Sequence, residues 1–245
     1  MIITITLNPS IDRTIKVDDL RRGGVNRAEL IRLDAAGKGV NVSRALAAYG
    51  IDTHAVMVGA GLGSEWMSEQ LAAQDIAHTI VMAQGITRSN LTLVEADGTV
   101  TKINEPGVTM TPEILAAIEG ALDALPLENN WVVLAGRLNP GAADDTYSRL
   151  VQHAKARGAR VVLDASGAAL SAALNGPHEL IALDRSQLDL SDADALVCLL
   201  LDRIDDAVLA RAPRLRVIGR QFEDDENLLI LGTVAVADFD RDGDL

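Results

Sequence analysis

Gly37, Lys38, Gly39 and Asn41 stand in the stretch LDAAGKGVNVSRALAAYG (residues 33–50), directly ahead of an apolar-periodic helix. Two glycines around a lysine, followed closely by an amide, fit three arrangements. Backbone N–H groups and the lysine could cradle a phosphate. A tight turn could bring bare backbone against a sugar, because glycine has no Cβ to hold a ligand away. The same residues could be an ordinary glycine-containing start of a helix. The stretch is not a Walker A loop, G-x-x-x-x-G-K-[ST], because Lys38 is followed by Gly39. VGAGLGSE (58–65) lacks the spacing of a dinucleotide-binding fingerprint.

Other polar residues bracket that turn. Asp12, in TLNPSIDRT, is a carboxylate suited to accepting sugar hydroxyls or to capping a turn. Arg88, Asn90 and Lys102 lie in GITRSNLTLVEADGTVTKINEPG. The two cations suit a phosphate, or simply a solvated hairpin face. Arg137 and Asn139 follow WVVLAG, and Ser166 and Gly167 follow VVLDA. No residue is assigned as catalytic base, and none as metal ligand.

These groups need a scaffold. IITITL (2–7), THAVMVGA (53–60), AHTIVMA (77–83), WVVLAG (131–136) and ARVVLDAS (159–166) read as apolar strands. VNVSRALAAYG (40–50), SEWMSEQLAAQ (64–74), TPEILAAIEGALDAL (111–125) and AADDTYSRLVQHAKARG (142–158) read as helices. Thr111 suits an N-cap, with Pro112 in the first turn. Apolar strands alternating with helices predict an α/β fold, a mostly parallel sheet covered on both faces. RTIKV (13–17) and AELIRL (28–33), then 90–104 around Asp97-Gly98, alternate polar with apolar. They predict a small β lid. Ligands of such folds bind beyond the carboxyl ends of the strands, where the residues above fall.

Composition narrows the function. The 245 residues are 48% hydrophobic but only 2% aromatic, with a net charge of −13. That charge disfavours nucleic acid and anionic membranes. No apolar run reaches the roughly 18 residues of a membrane helix. Cys198 is the single cysteine, so no internal disulfide forms, and a cytoplasmic location is expected. Residues 184–245 carry 15 acidic and 7 basic side chains, and the last lysine is Lys155. This marks a boundary between a region 1–190 and an acidic tail 191–245.

The order of the pieces is more specific than any one of them. TLNPSIDRT, AAGKGVNVSRALAAYG, GITRSNLTLVEADGTVTKINEPG, WVVLAGRLNPG and VVLDASGAAL occur in that order. Together they closely resemble the ribokinase-like (PfkB) sugar kinases, and within them the bacterial 1-phosphofructokinase and tagatose-6-phosphate kinase group. The resemblance covers about residues 1–190 and implies a ribokinase-like fold. It implies Asp12, Gly37, Lys38 and Asn41 at the sugar, and Arg88 and Lys102 at a substrate phosphate; Asn90, beside Arg88, is a further substrate-binding candidate. It implies ATP and Mg²⁺ as cofactors, a sugar phosphate as the small-molecule partner, and a homodimer through the lid. The implied reaction converts fructose 1-phosphate to fructose 1,6-bisphosphate.

The chain departs from that pattern. Ala36 replaces the first glycine of the turn, and Ala135-Gly136-Arg137-Leu138-Asn139-Pro140-Gly141 stands for S-G-S-L-P-P-G. A cation replaces a hydroxyl there. LIALDRSQLDL (180–190) stands for the K-P-N-x-x-E-L stretch that orders metal and nucleotide. Ala182, Leu183, Asp184 and Gln187 take the places of its Lys, Pro, Asn and Glu, which leaves Asp184 and Gln187 as the cofactor-side candidates. No G-A-G-D follows residue 184, so the expected anion hole and general base are not found. Residues 192–220 instead resemble the first strand–helix–strand of D-2-hydroxyacid dehydrogenases, with strands at 194–200 and 214–219. Three readings follow: a kinase; a catalytically inactive sugar-phosphate binder; a mosaic or designed fold without ligand.

Overall fold

The computed structural model describes residues 1–176. In chain order its elements are β1 (Ile2–Thr6), β2 (Ser10–Lys16), β3 (Glu29–Ala36), α1 (Lys38–Ala48), β4 (Thr53–Gly59), α2 (Gly61–Ala72) and β5 (Ala77–Met82). There follow β6 (Ser89–Val94), β7 (Val100–Asn104), α3 (Pro112–Asp123), β8 (Trp131–Ala135), α4 (Thr146–Lys155), β9 (Arg160–Asp164) and α5 (Gly167–Leu174). The expected strands HELIAL (178–183), 194–200 and 214–219, like Asp184 and Gln187, lie outside the described residues.

Five strands pair in parallel in the order β5-β4-β1-β8-β9. Their alternation sorts the core onto two faces. Ile3, Ile5, Val56, Val58, Val132 and Leu134 pack with Ile114, Leu115, Ile118 and Leu122 of α3 and with Tyr147, Leu150 and Val151 of α4. On the other face Ala55 and Met57 meet Val40 of α1 and Met67 and Leu71 of α2. Ile2, Val133 and Ala135 meet Leu46 of α1. Strands buried on both faces explain why they read as apolar throughout.

The remaining strands form a second sheet in the order β3-β2-β6-β7. Its β6–β7 hairpin turns at Gly98, where φ is 88°. Asp97 Oδ1 accepts the Thr99 N–H at 2.8 Å there. A register shift between Thr14 and Ile15 leaves Ile31 unpaired, a β-bulge on β3. The opposite ends of β2 and β3 run to the floor of the sheet: β2 starts at Ser10, three residues after buried Leu7, and β3 ends at buried Ala36.

Several boundaries differ from the sequence reading, some for tertiary and some for local reasons. β2 begins at Ser10, so Asp12 lies within a strand, paired with Asp34 on one side and Asn90 on the other. α2 begins at Gly61, because Thr87 Oγ1 accepts the Ala60 N–H at 2.9 Å and donates to Ala60 O at 3.0 Å. α4 begins at Thr146, whose N–H and hydroxyl both donate to Ala143 O and close a preceding turn. α5, made almost wholly of Ala and Leu, was not expected from periodicity. α3 begins as expected, with Thr111 Oγ1 accepting the Ile114 N–H at 3.4 Å.

Candidate functional site

The glycines of the α1 turn are required by β1. A Cβ on Gly39 would lie 2.5 Å from Thr6 Oγ1 and 2.9 Å from Ile5 O. Such contacts do not occur between real atoms, so α1 sits this close to β1 only because residue 39 lacks a side chain. Thr6 Oγ1 then accepts the Val40 N–H at 2.9 Å, satisfying one of the first-turn donors of α1. Gly37 has φ 129°, and its added Cβ would lie 2.6 Å from Thr6 Cγ2 and 3.1 Å from Pro9 Cα. The turn therefore presses against residues 8–10, where β1 gives way to the second sheet.

Across the paired strands β2 and β6, Ser10, Asp12 and Asn90 form one cluster. Ser10 Oγ donates to Asp12 Oδ1 at 2.7 Å. Asn90 Nδ2 donates to Asp12 Oδ1 at 2.9 Å and to Ser10 Oγ at 3.0 Å. The amide's other end is unused: Asn90 Oδ1 is buried with no partner. A buried acceptor without a donor costs about 1–3 kcal/mol, which a bound hydroxyl would offset.

Arg88 flanks the cluster, its Nε donating to Pro9 O and its Nη1 to Glu105 O, both at 3.3 Å. Burial holds its guanidinium below the usual arginine range; Asp12 pulls it up, and Arg137 pushes it down. Arg137 thus belongs to the same electrostatic environment. It follows Gly136, whose N–H donates to Asp164 O at 3.0 Å and whose carbonyl accepts the Tyr147 hydroxyl at 3.0 Å. Burial, and then the Asp164 charge, push the Tyr147 phenol well above its usual range, so it stays a donor.

Lys38 does not face this cluster with an open ammonium. Its Nζ donates to Asp164 Oδ1 at 3.0 Å and Oδ2 at 2.9 Å, tying the α1 turn to the end of β9. Asn41 is half-buried in the first turns of α1, with its N–H bonded to Gly37 O at 2.8 Å. Lys102 pairs with Thr92 on β7, two residues beyond the Asn104–Asn90 pair. It shares their face, about 7 Å further along the lid.

The structure therefore brings Asp12, Asn90, Arg88 and Gly37 to the carboxyl ends of β1 and β8, and sets Lys102 further out. Asp164 was not singled out by sequence reasoning, and Ser10 stood only among the residues following the first strand. Ser10 sits two residues before Asp12, on the same strand face, the spacing that marks such partners. Asp164 ends an apolar strand, where an acidic residue has no core role.

A five-stranded parallel sheet, a second sheet beside it, and a glycine turn near a hydroxyl-accepting cluster define an α/β fold with a candidate site at its strand ends. The family profile "pfkB family carbohydrate kinase" matches residues 4–190, and the chain belongs to that family. The 1-phosphofructokinase of Xanthomonas campestris pv. campestris is 42% identical over 177 residues, 70% of this chain and 54% of that protein. That of Rhodobacter capsulatus is 36% identical over 185 residues, 74% of this chain and 58% of that protein. Among solved structures, Escherichia coli phosphofructokinase-2 in complex with fructose-6-phosphate superposes with TM-score 0.66 at 30% identity, covering 71% of this chain and 57% of that one. The same protein has been solved as a tetrameric inhibited form. The chain spans a little over half the length of the curated relatives it matches. No helix among the described residues is long and apolar enough to cross a membrane.

Proposed function

We propose that this chain is the sugar-binding part of a kinase that phosphorylates a ketohexose phosphate, converting fructose 1-phosphate to fructose 1,6-bisphosphate with ATP. The observation that carries the reading is the Asn90 amide. Its Nδ2 is committed to Asp12 and Ser10, and its buried Oδ1 is left to accept a hydroxyl. Asp12 and Asn90 then hold the sugar's hydroxyls, the Gly37 turn admits the ring close to backbone, and Arg88 answers the phosphate. Identities of 42% and 36% to proteins named 1-phosphofructokinase support the 1-phosphate as the substrate.

ATP and Mg²⁺ enter this proposal from the family alone. Among the described residues no group of three or more His, Cys, Asp or Glu could hold a metal ion. Asp164, the carboxylate at the end of β9, is already paired with Lys38. The described residues thus supply the acceptor's end of the reaction, and no step is drawn through nucleotide or metal.

Two copies would meet through the second sheet. Leu33, Arg13, Leu91 and Ile103 form one row across it, on the face opposite Asp12 and Asn90. Leu33 and Ile103 in that row are exposed, as are Leu30 and Ile31 nearby. Three of the four residues of this row are apolar, and a second lid would cover them.

Isothermal titration of the chain with fructose 1-phosphate and with ATP, separately, followed by a product assay with both, tests the reading. Binding of fructose 1-phosphate is expected; ATP binding with formation of the bisphosphate would show that the chain also supplies the nucleotide side. Sugar-phosphate binding alone would make the chain an inactive binder. A melting temperature unmoved by either at millimolar concentration would overturn the proposal.

A further inference from the structure

We infer that Asn139, together with Asn8, is a positioning residue for the second sheet. The two amides grip the strap of residues 105–110 that returns β7 to α3, and so set where Asp12 and Asn90 stand beside the glycine turn. The inference rests on the sugar-binding reading above and names residues that act on the sugar only through others.

The strap has no helix or strand of its own, and its backbone is held from outside. Asn8, beyond the end of β1, donates through Nδ2 to Pro106 O at 2.9 Å. Asn139, in the turn after β8, donates through Nδ2 to Val108 O at 3.2 Å. Pro140 O accepts the Met110 N–H at 2.8 Å. At the β6 end, Glu105 Oε2 accepts the Ser89 N–H at 2.7 Å, and Glu105 O accepts Arg88 Nη1. Both amides are buried, Asn8 at 7% and Asn139 at 4% exposure. A buried amide is costly except for the bonds it makes. For each, the strap carbonyl is the side-chain partner among the described residues. Gly107, between the two gripped carbonyls, has φ 91°, and a Cβ there would overlap Asn8 Oδ1. The strap lies this close to Asn8 only as bare backbone.

Residues 8–10 are where the parts meet. Asn8 holds the strap, Pro9 O accepts Arg88 Nε, Gly37 packs against Pro9, and Ser10 bonds Asp12 and Asn90. A strap that shifts on Asn8 carries Glu105 with it, and so the start of β6 at Ser89, one residue from Asn90. The sugar-kinase pattern S-G-S-L-P-P-G has proline at the position of Asn139, and a proline side chain donates no hydrogen bond. This chain has gained a second grip, two residues along the strap from the first. Stability does not account for the gain. Asn139 Oδ1 is left buried without a partner, a cost that an apolar side chain of the same size would not bring.

Hydrogen exchange and calorimetry on the full chain test the inference. Asn139→Leu keeps the side-chain size and removes both the grip and the orphaned acceptor, and Asn8→Ala removes the first grip. In each variant the Ser89, Glu105 and Met110 amides should exchange about 3- to 10-fold faster relative to those of β1, the size expected for one neutral hydrogen bond. Fructose 1-phosphate affinity should fall by about the same factor. The melting temperature of Asn139→Leu should stay unchanged or rise, which a structural role would not allow. Strap amides that exchange as in the parent overturn the inference. So does a lower melting temperature with β1 amides speeded equally. Faster strap exchange with fructose 1-phosphate affinity within two-fold of the parent overturns the positioning role and leaves the sugar-binding reading standing. A parent that binds no fructose 1-phosphate overturns both.

Discussion

Lys38 Nζ lies between the two carboxylate oxygens of Asp164, at 3.0 and 2.9 Å, and so staples the start of α1 to the end of β9. The two sides of the pair are unequal. The Asp164 side chain is 16% exposed and that of Lys38 35%. Lys38→Met leaves a mostly buried carboxylate without its counter-charge, whereas Asp164→Asn leaves an ammonium that reaches water. Urea unfolding should show a loss of about 2 kcal/mol for Lys38→Met and about 1 kcal/mol for Asp164→Asn. The double variant should lose less than the sum. Additive losses would mean that the pair contributes nothing as a pair.

Gly39→Ala places a methyl group against Thr6 Oγ1 and the Ile5 carbonyl. Overpacking of this kind costs about 1–3 kcal/mol. Thr6→Ala should rescue only part of it, because the Ile5 contact is with backbone, which cannot turn aside. Full rescue by Thr6→Ala would show that α1 can slide along β1.

Asp12→Asn keeps the shape of the side chain and removes the charge that orders Ser10 and Asn90. Fructose 1-phosphate affinity should drop by about 10- to 100-fold, as expected for losing charge-assisted hydrogen bonds. Calorimetry checks this, with the melting temperature as control. An unchanged affinity would remove Asp12 from the sugar site.

Stability should fall in acid in two stages. Burial, then the neighbouring His78, depress the His54 imidazole, with Asp52 opposing them. A depressed histidine is more readily protonated in the unfolded chain, so its stability is present above about pH 6.5 and drains as pH falls below that value. Glu119 is depressed chiefly by the Arg149 hydrogen bonds, at 2.6 and 2.7 Å. Its contribution is present above about pH 4.3 and is lost as pH falls through the lower folded value. Urea midpoints measured against pH should show both limbs. His54→Gln should flatten the upper one and Arg149→Met the lower.

Ile103→Lys on β7 adds a second positive charge to the row that already holds Arg13, and removes one of its apolar side chains. Sedimentation velocity should show the parent as a dimer and the variant as a monomer. A parent that sediments as a monomer at micromolar concentration would exclude lid pairing.

The helices and the core strands were legible because their signals are local. Strands such as WVVLAG are buried on both faces, so every residue must be apolar. Thr111-Pro112 announces α3 by capping chemistry that needs no distant partner. The starts of α2 and α4 were misplaced because Thr87 and Ala143 decide them through contacts outside the helix. Asp12 read as a loop residue because nothing in TLNPSIDRT reveals a parallel partner at Ser89–Val94, some 78 residues on.

Residue type and order alone determined the family, the parallel sheet, and a glycine turn near a carboxylate and an arginine. They did so because backbone preference and burial act residue by residue along the chain. Only the tertiary structure decided that Lys38 belongs to Asp164 and that Asn90 completes Asp12 and Ser10. Those pairings join strand ends far apart in sequence, and side chains meet there only once the sheet has set the distances between them.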